Sequence, residues 1–155
     1  MNGYHLIFST KHRQPLIAPE IEPQLHPYLA TTLRTLDSPS LAINGTADHI
    51  HILFRLGRTI SVAKVVEEVK SSSSKWIKPK GKEFQNFYWQ NGYGAFSVGQ
   101  SGVEAVKKYI ARQKEHHKKV SFQDEFARSS ESTVWNGMNA TSGIRWYQRA
   151  PLGLG

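Results

Sequence analysis

The run "HIHILFRL" (49–56) constrains the fold more than any other stretch of the chain. Side chains on a strand alternate between two faces. Ile50, Ile52, Phe54 and Leu56 therefore share one face, and His49, His51 and Leu53 share the other. Just upstream, "LAINGTA" (41–47) reads as a second strand, with the turn either at "NG" (44–45) or at Thr46–Asp48.

The rest of the chain falls into order around this hairpin. "GYHLIFST" (3–10) is a short apolar strand closed by a polar loop containing Pro15. A helix follows, opened at Pro19–Glu20 or at Pro27, with Leu25, Tyr28, Leu29, Thr32, Leu33 and Leu36 on one face. A second helix is expected over roughly 60–78, where Val62, Val65, Val66, Val69 and Trp76 recur at helical spacing. "NFYWQ" (86–90) and "GAFSVG" (94–99) read as short strands about a turn. Ser101 and Glu104 have capping-box spacing, and a third helix runs from there to about Lys119, burying Val103, Val106 and Ile110. The order β–α–ββ–α–ββ–α indicates an α+β fold, a sheet with helices packed on it. Beyond Phe126 the chain is rich in Ser, Gly and Asn and loses periodicity. The expected organisation is one domain over 1–126 and a divergent, loosely packed tail over 127–155.

Charge narrows the partners. The net charge is +8, and it is clustered: Arg58–Lys82 holds seven Lys/Arg against two Glu, and Val103–Lys119 six against two. Two basic clusters favour nucleic acid over solvated helix faces. Lys11, Arg13, Lys64, Lys70, Lys75, Lys78, Lys80 and Lys82 are the candidate DNA contacts. The serine run 71–74 between Lys70 and Lys75 is a further candidate for bonding phosphates. Aromatics at Trp76, Phe84, Phe87, Tyr88, Trp89, Tyr93 and Phe96 suit either a core or stacking on single-stranded bases. No apolar run is long enough to span a membrane, and no secretory signal is evident in the first ten residues. There is no glycine-rich phosphate loop, so no nucleotide cofactor is expected.

The chain contains no cysteine, so any metal must be held by His, carboxylate, amide or water. His49 and His51 are a plausible half-site, although two strand histidines are also compatible with ordinary packing. Asp48 beside them suits a turn, or an outer partner that orients an imidazole. Tyr109 and Gln113 stand four apart on the third helix and point the same way. His116 and His117 follow about one turn later and are expected to face solvent.

Four stretches occur in order: "HLIFSTKHRQPL" (5–16), "ADHIHILF" (47–54), "FYWQNGYGAFSVG" (87–99) and "VKKYIARQKEHHKKVSFQDEF" (106–126). Together they resemble the single-tyrosine HUH transposases of small bacterial insertion sequences and their relatives at repeated extragenic palindromes. The His–hydrophobic–His element is His49–Ile50–His51, and "YIARQ" supplies the tyrosine and the glutamine. The resemblance implies an antiparallel sheet of the ferredoxin-like or RNA-recognition-motif type. It implies a Mg²⁺ or Mn²⁺ site formed by His49, His51 and Gln113, and Tyr109 as a nucleophile forming a 5′-phosphotyrosine with DNA. The implied substrate is single-stranded DNA with hairpins. The implied setting is a homodimer in the bacterial cytoplasm, at the nucleoid. Two alternatives stay open: a domesticated palindrome-binding protein without transposition activity, and a nuclease that uses the histidines with activated water.

Overall fold

The computed structural model describes residues 3–116 and 144–146. Strand β1 (Gly3–Ser9) is followed by helix α1 (Glu22–Thr35), strands β2 (Ser40–Gly45) and β3 (His49–Arg55), helix α2 (Val62–Ile77) and strand β4 (Gly94–Val98). Helices α3 (Val103–Ala111) and α4 (Gln113–His116) come next, and strand β5 (Ile144–Trp146) lies further along the chain. The sheet is antiparallel throughout, in the order β2-β3-β1-β4-β5. Its first four strands with α1 and α2 form a β-α-β-β-α-β unit, the ferredoxin-like arrangement. The expected boundary between residues 126 and 127 lies outside the described residues, as do His117 and the stretch to Lys119.

Alternation along the central strands sorts two cores. Leu6, Phe8, Ile50, Ile52 and Phe54 face α1 and α2, joining Leu25, Leu29, Leu33, Val65, Val66 and Val69. On the opposite face Ile7, Leu53, Phe96 and Val98 meet Val103, Val106 and Ile110 of α3. Full burial of a side chain such as Phe54 contributes about 1.5–3 kcal/mol. Helix α1 accommodates Pro27 because the bond it forgoes would end on Pro23, within the first turn. The hairpin turn lies at Thr46–Asp48, closed by Thr46 N–H donating to the His49 carbonyl.

Three expectations fail locally. Residues 86–90 form no strand; Trp89 makes a single bridge to Thr10. The carbonyls of Phe87, Gln90 and Gly92 instead accept from lysine ammonium groups, Lys78 for the first and Lys70 for the other two. Ser101 caps nothing, because Gln100–Gly102 form a 3-10 turn and Gly102 takes the position before α3. The third helix is interrupted at Arg112, whose φ/ψ of −96°/10° ends α3 before α4 begins.

Candidate active site

The site lies on the α3 face of the sheet and is built on β3. His49 and His51 are 0% and 1% exposed, with ring centroids 5.0 Å apart. Helix α3 is laid against this face by Val103, Val106 and Ile110, which brings the half-buried Tyr109 ring to 5.9 Å from that of His51. The helix end is tied down by Asn44, the residue paired with His51 across the hairpin. Its side-chain amide donates to the carbonyls of Ile110 and Ala111, at 3.0 and 3.3 Å. These are carbonyls that a helix terminus leaves without intrahelical partners. Lys114 fastens α4 in the same way, donating to Asn44 Oδ1 and the Gly45 carbonyl and pairing with Glu22 at 2.7 Å.

Gln113 is therefore carried beside β2, fully buried. Its Nε2 donates to the Tyr109 carbonyl at 3.3 Å, while its Oε1 has no hydrogen-bond partner among the described residues. A buried carbonyl oxygen left in that state costs about 1–3 kcal/mol.

Each histidine is held from behind at Nδ1. Asp48 Oδ1 and Thr46 Oγ1 lie 2.8 and 2.9 Å from His49 Nδ1. Burial disfavours ionisation of Asp48. Interaction with His49, first of all its hydrogen bond, together with the Thr46 hydroxyl and the charge of Arg13 outweighs it, and holds the carboxyl below its usual range. Asp48 thus serves both as a turn residue and as an orienting partner. Behind His51 stands His5 of β1, with Nε2 2.9 Å from His51 Nδ1. His5 is not among the residues the sequence singles out, although it opens the first of the four stretches; its local signal is a polar residue inside a short apolar strand.

No cluster of three or more His, Cys, Asp or Glu suited to a metal occurs among the described residues. His49, His51 and Gln113 could offer two imidazoles and an amide, donor types that suit a divalent cation. Orientation at Nδ1 leaves Nε2 of His49 as the nitrogen with a lone pair, and the buried Gln113 Oε1 is an acceptor that meets no donor among the described residues.

The basic residues divide. Contrary to the expectation that it contacts DNA, Lys70 is 1% exposed and its ammonium donates to Gln90 O and Gly92 O at 2.7 and 2.6 Å, so it does not meet a phosphate. Burial pulls its pKa down to about 8. The serine run turns inward as well, with Ser73 accepting from Trp89 Nε1 and Ser74 from Lys78. Lys64 is exposed and spends its charge on Glu67 and Glu68. Lys75, Lys80 and Lys82 are exposed near the end of α2. Lys78 lies 4.1 Å from the centroid of the exposed Tyr88 ring and Lys11 5.5 Å from it, while Lys80 covers Trp76 at 4.2 Å. Phe84, Phe87, Trp89, Tyr93 and Phe96 are core. Lys11 and Arg13 sit on a strained loop, where His12 and Arg13 both have φ of 56°. Gln90 Oε1 accepts from His12 N–H there, and the Tyr88 carbonyl from Lys11 N–H.

Comparison with known proteins agrees with this architecture. The chain matches the family described as "Transposase IS200 like" over residues 2–113. Among solved structures it resembles a candidate transposase from Deinococcus radiodurans R1, with a TM-score of 0.56 and 21% identity, covering 72% of this chain and 89% of that one. It also resembles a REP-associated tyrosine transposase solved bound to a REP hairpin, with a TM-score of 0.59 and 16% identity, covering 93% and 92%. No curated protein matches the chain. No helix among the described residues is long and apolar enough to cross a membrane.

Proposed function

Because the chain belongs to the IS200-like transposase family, we propose that it cleaves and rejoins single-stranded DNA at hairpin-marked ends through a covalent link to Tyr109. The observation that carries the reading is the meeting of Tyr109 with the His49/His51 pair, on a helix whose end is anchored to the residue opposite His51. Tyr109 and His51 lie 58 positions apart in sequence.

The chemistry follows from the groups present. Tyr109 Oη attacks phosphorus, and the bond to the neighbouring 3′-oxygen breaks. The phenol loses a proton and the departing oxygen gains one, leaving a 5′-phosphotyrosine and a 3′-hydroxyl. A phenol is a better leaving group than an aliphatic alcohol, so the step reverses when a 3′-hydroxyl attacks. The phosphodiester bond is exchanged, not hydrolysed, and rejoining needs no nucleotide cofactor. His49, His51 and Gln113 would hold Mg²⁺ or Mn²⁺, which when bound supplies charge stabilisation to the phosphate oxygens. Asp48 keeps the His49 imidazole in register, and Val106 and Ile110 fix the distance between helix and sheet.

Lys11, Lys75, Lys78, Lys80 and Lys82, with Tyr88 and Trp76 among them, are the proposed DNA-facing patch. Exposed or half-buried rings beside ammonium groups suit unpaired bases and backbone together. The homodimer implied by the sequence has the outer strands β2 and β5 to pair through. The proposed setting is the bacterial nucleoid.

The test is adduct formation. With Mn²⁺ and a single-stranded oligonucleotide carrying its cognate hairpin, the protein forms a denaturant-resistant adduct on a gel. Tyr109→Phe forms none, and a chelator abolishes it. Hairpin binding without any adduct across metals and substrates supports the palindrome-binding alternative. Cleavage that survives Tyr109→Phe supports the nuclease and overturns the proposal.

A further inference from the structure

The His5–His51 contact is not accounted for by the reaction above. His5 lies on β1, where it pairs with Leu53, while His51 pairs with Ile7; the two imidazoles are diagonal neighbours on the α3 face. His5 is 0% exposed and is packed among the rings of His51, Phe96 and Tyr109, at centroid distances of 5.1, 5.6 and 6.1 Å. Its position is set by packing, so the place of its Nε2 is fixed before any ligand arrives.

A 2.9 Å N···N contact holds one proton between the rings. If His5 Nε2 is the donor, His51 Nδ1 accepts, and a neutral His51 then carries its proton on Nε2 with no lone pair to offer there. If His51 Nδ1 is the donor, His51 Nε2 is the ligand nitrogen. Only the second arrangement matches the state of His49, whose Nδ1 faces the acceptor-only carboxylate of Asp48. We infer that His5 is a positioning residue, whose Nε2 accepts from His51 Nδ1–H and so fixes the His51 tautomer with its lone pair on Nε2.

The two histidines are thus oriented by different chemistry: His49 by a carboxylate, His51 by a neutral ring. A carboxylate can orient an imidazole equally well. A second one in this buried cluster would add negative charge beside an incoming phosphate, where the local medium screens it weakly. A neutral imidazole gives the orientation without that repulsion. The inference rests on the proposed role of His51 as a cation ligand, and the experiment separates the two.

Three forms of the full chain are compared: the parent, His5→Leu, which has no acceptor, and His5→Gln, whose amide oxygen replaces it. In metal-free protein, side-chain ¹⁵N spectra report which nitrogen of His51 is protonated. Mn²⁺ binding is followed by electron paramagnetic resonance without DNA, and melting of the metal-free forms is recorded. The expected results are an Nδ1–H His51 in the parent and in His5→Gln, and a shift toward Nε2–H in His5→Leu. The Mn²⁺ dissociation constant is expected to rise about 10- to 100-fold in His5→Leu and to stay within about 3-fold in His5→Gln. An Nε2–H His51 in the parent overturns the inference without any variant. So does Mn²⁺ affinity unchanged in His5→Leu, or melting lowered alike in both variants with the tautomer unmoved. A parent that binds no Mn²⁺ while His51 loses its Nδ1–H form in His5→Leu overturns the metal reading and leaves the positioning role standing.

Discussion

At the scale of single residues, Gln113 carries a buried acceptor that no donor among the described residues meets. Its buried Oε1 therefore adds no hydrogen bond to the fold, while Nε2 donates to the Tyr109 carbonyl. Gln113→Leu, which keeps the volume and removes the amide, is expected to melt at or slightly above the parent temperature, by up to about 1–2 kcal/mol of stability. Mn²⁺ affinity is expected to fall about tenfold or more. Calorimetry of the metal-free form and Mn²⁺ titration read the two effects separately; a loss of stability with affinity intact would return Gln113 to a packing role. That His49 and His51 share a face, and Tyr109 and Gln113 another, is legible from local spacing, period two on a strand and four on a helix, while the roles proposed for them come from the resemblance. His5 stayed hidden because its partner is 46 residues away, and the pairing of β1 with β3 sets the contact. Lys70 misled for a related reason. A lysine in a basic helix looks solvated until the loop at 87–92 closes over it.

At the scale of elements, that loop is held by side chains. Lys70 grips it from α2, and Gln90 passes the restraint on to the strained turn at His12–Arg13. The depressed Lys70 pKa has a consequence for stability. Between about 8 and the ordinary 10.5 the unfolded lysine keeps its proton and the folded one gives it up. The unfolded state binds more protons in that window, so the Lys70 contribution to stability rises with pH across it. Denaturant unfolding of the parent and of Lys70→Met from pH 7 to 10.5 should show the parent gaining on the variant above pH 8. A constant difference between them would mean that the folded pKa is not lowered. Most strands and helices were legible as periodicity, and β1, β2, β3, α2 and β4 lie within a residue or two of where it puts them. The 86–90 stretch reads as a strand because three consecutive aromatics, Phe87, Tyr88 and Trp89, suit one, whereas lysines from a neighbouring helix occupy its carbonyls at Phe87 and Gln90. The break at Arg112 left no local mark; it follows from Asn44 and Lys114 capping α3 and holding α4 from outside.

At the scale of the whole molecule, the sheet separates the two parts of the proposed function. The larger core and the proposed DNA-facing patch belong to the α1/α2 side, where Phe87 and Trp89 anchor the patch. The histidines and Tyr109 lie over the smaller core on the α3 side. If the patch tracks a DNA backbone, Lys80→Ala and Lys82→Ala should each weaken binding across sequences alike. Each should lower the slope of log affinity against log salt by about 0.7–0.9. Binding isotherms at several salt concentrations check this, and unchanged slopes would move the DNA path elsewhere. The general form of the fold was open to the sequence, but this division was not, since nothing in a linear pattern says which face a distant lysine joins. The layering also bears on how copies of such a chain would coexist in one cell. On the proposed reading, a copy that loses Tyr109 would keep its principal core and the DNA-facing patch, and so would remain a folded occupant of the same ends. Damaged copies of that kind would act as competitors of intact ones, and the sheet that separates the two tasks would give the element a brake on its own spread.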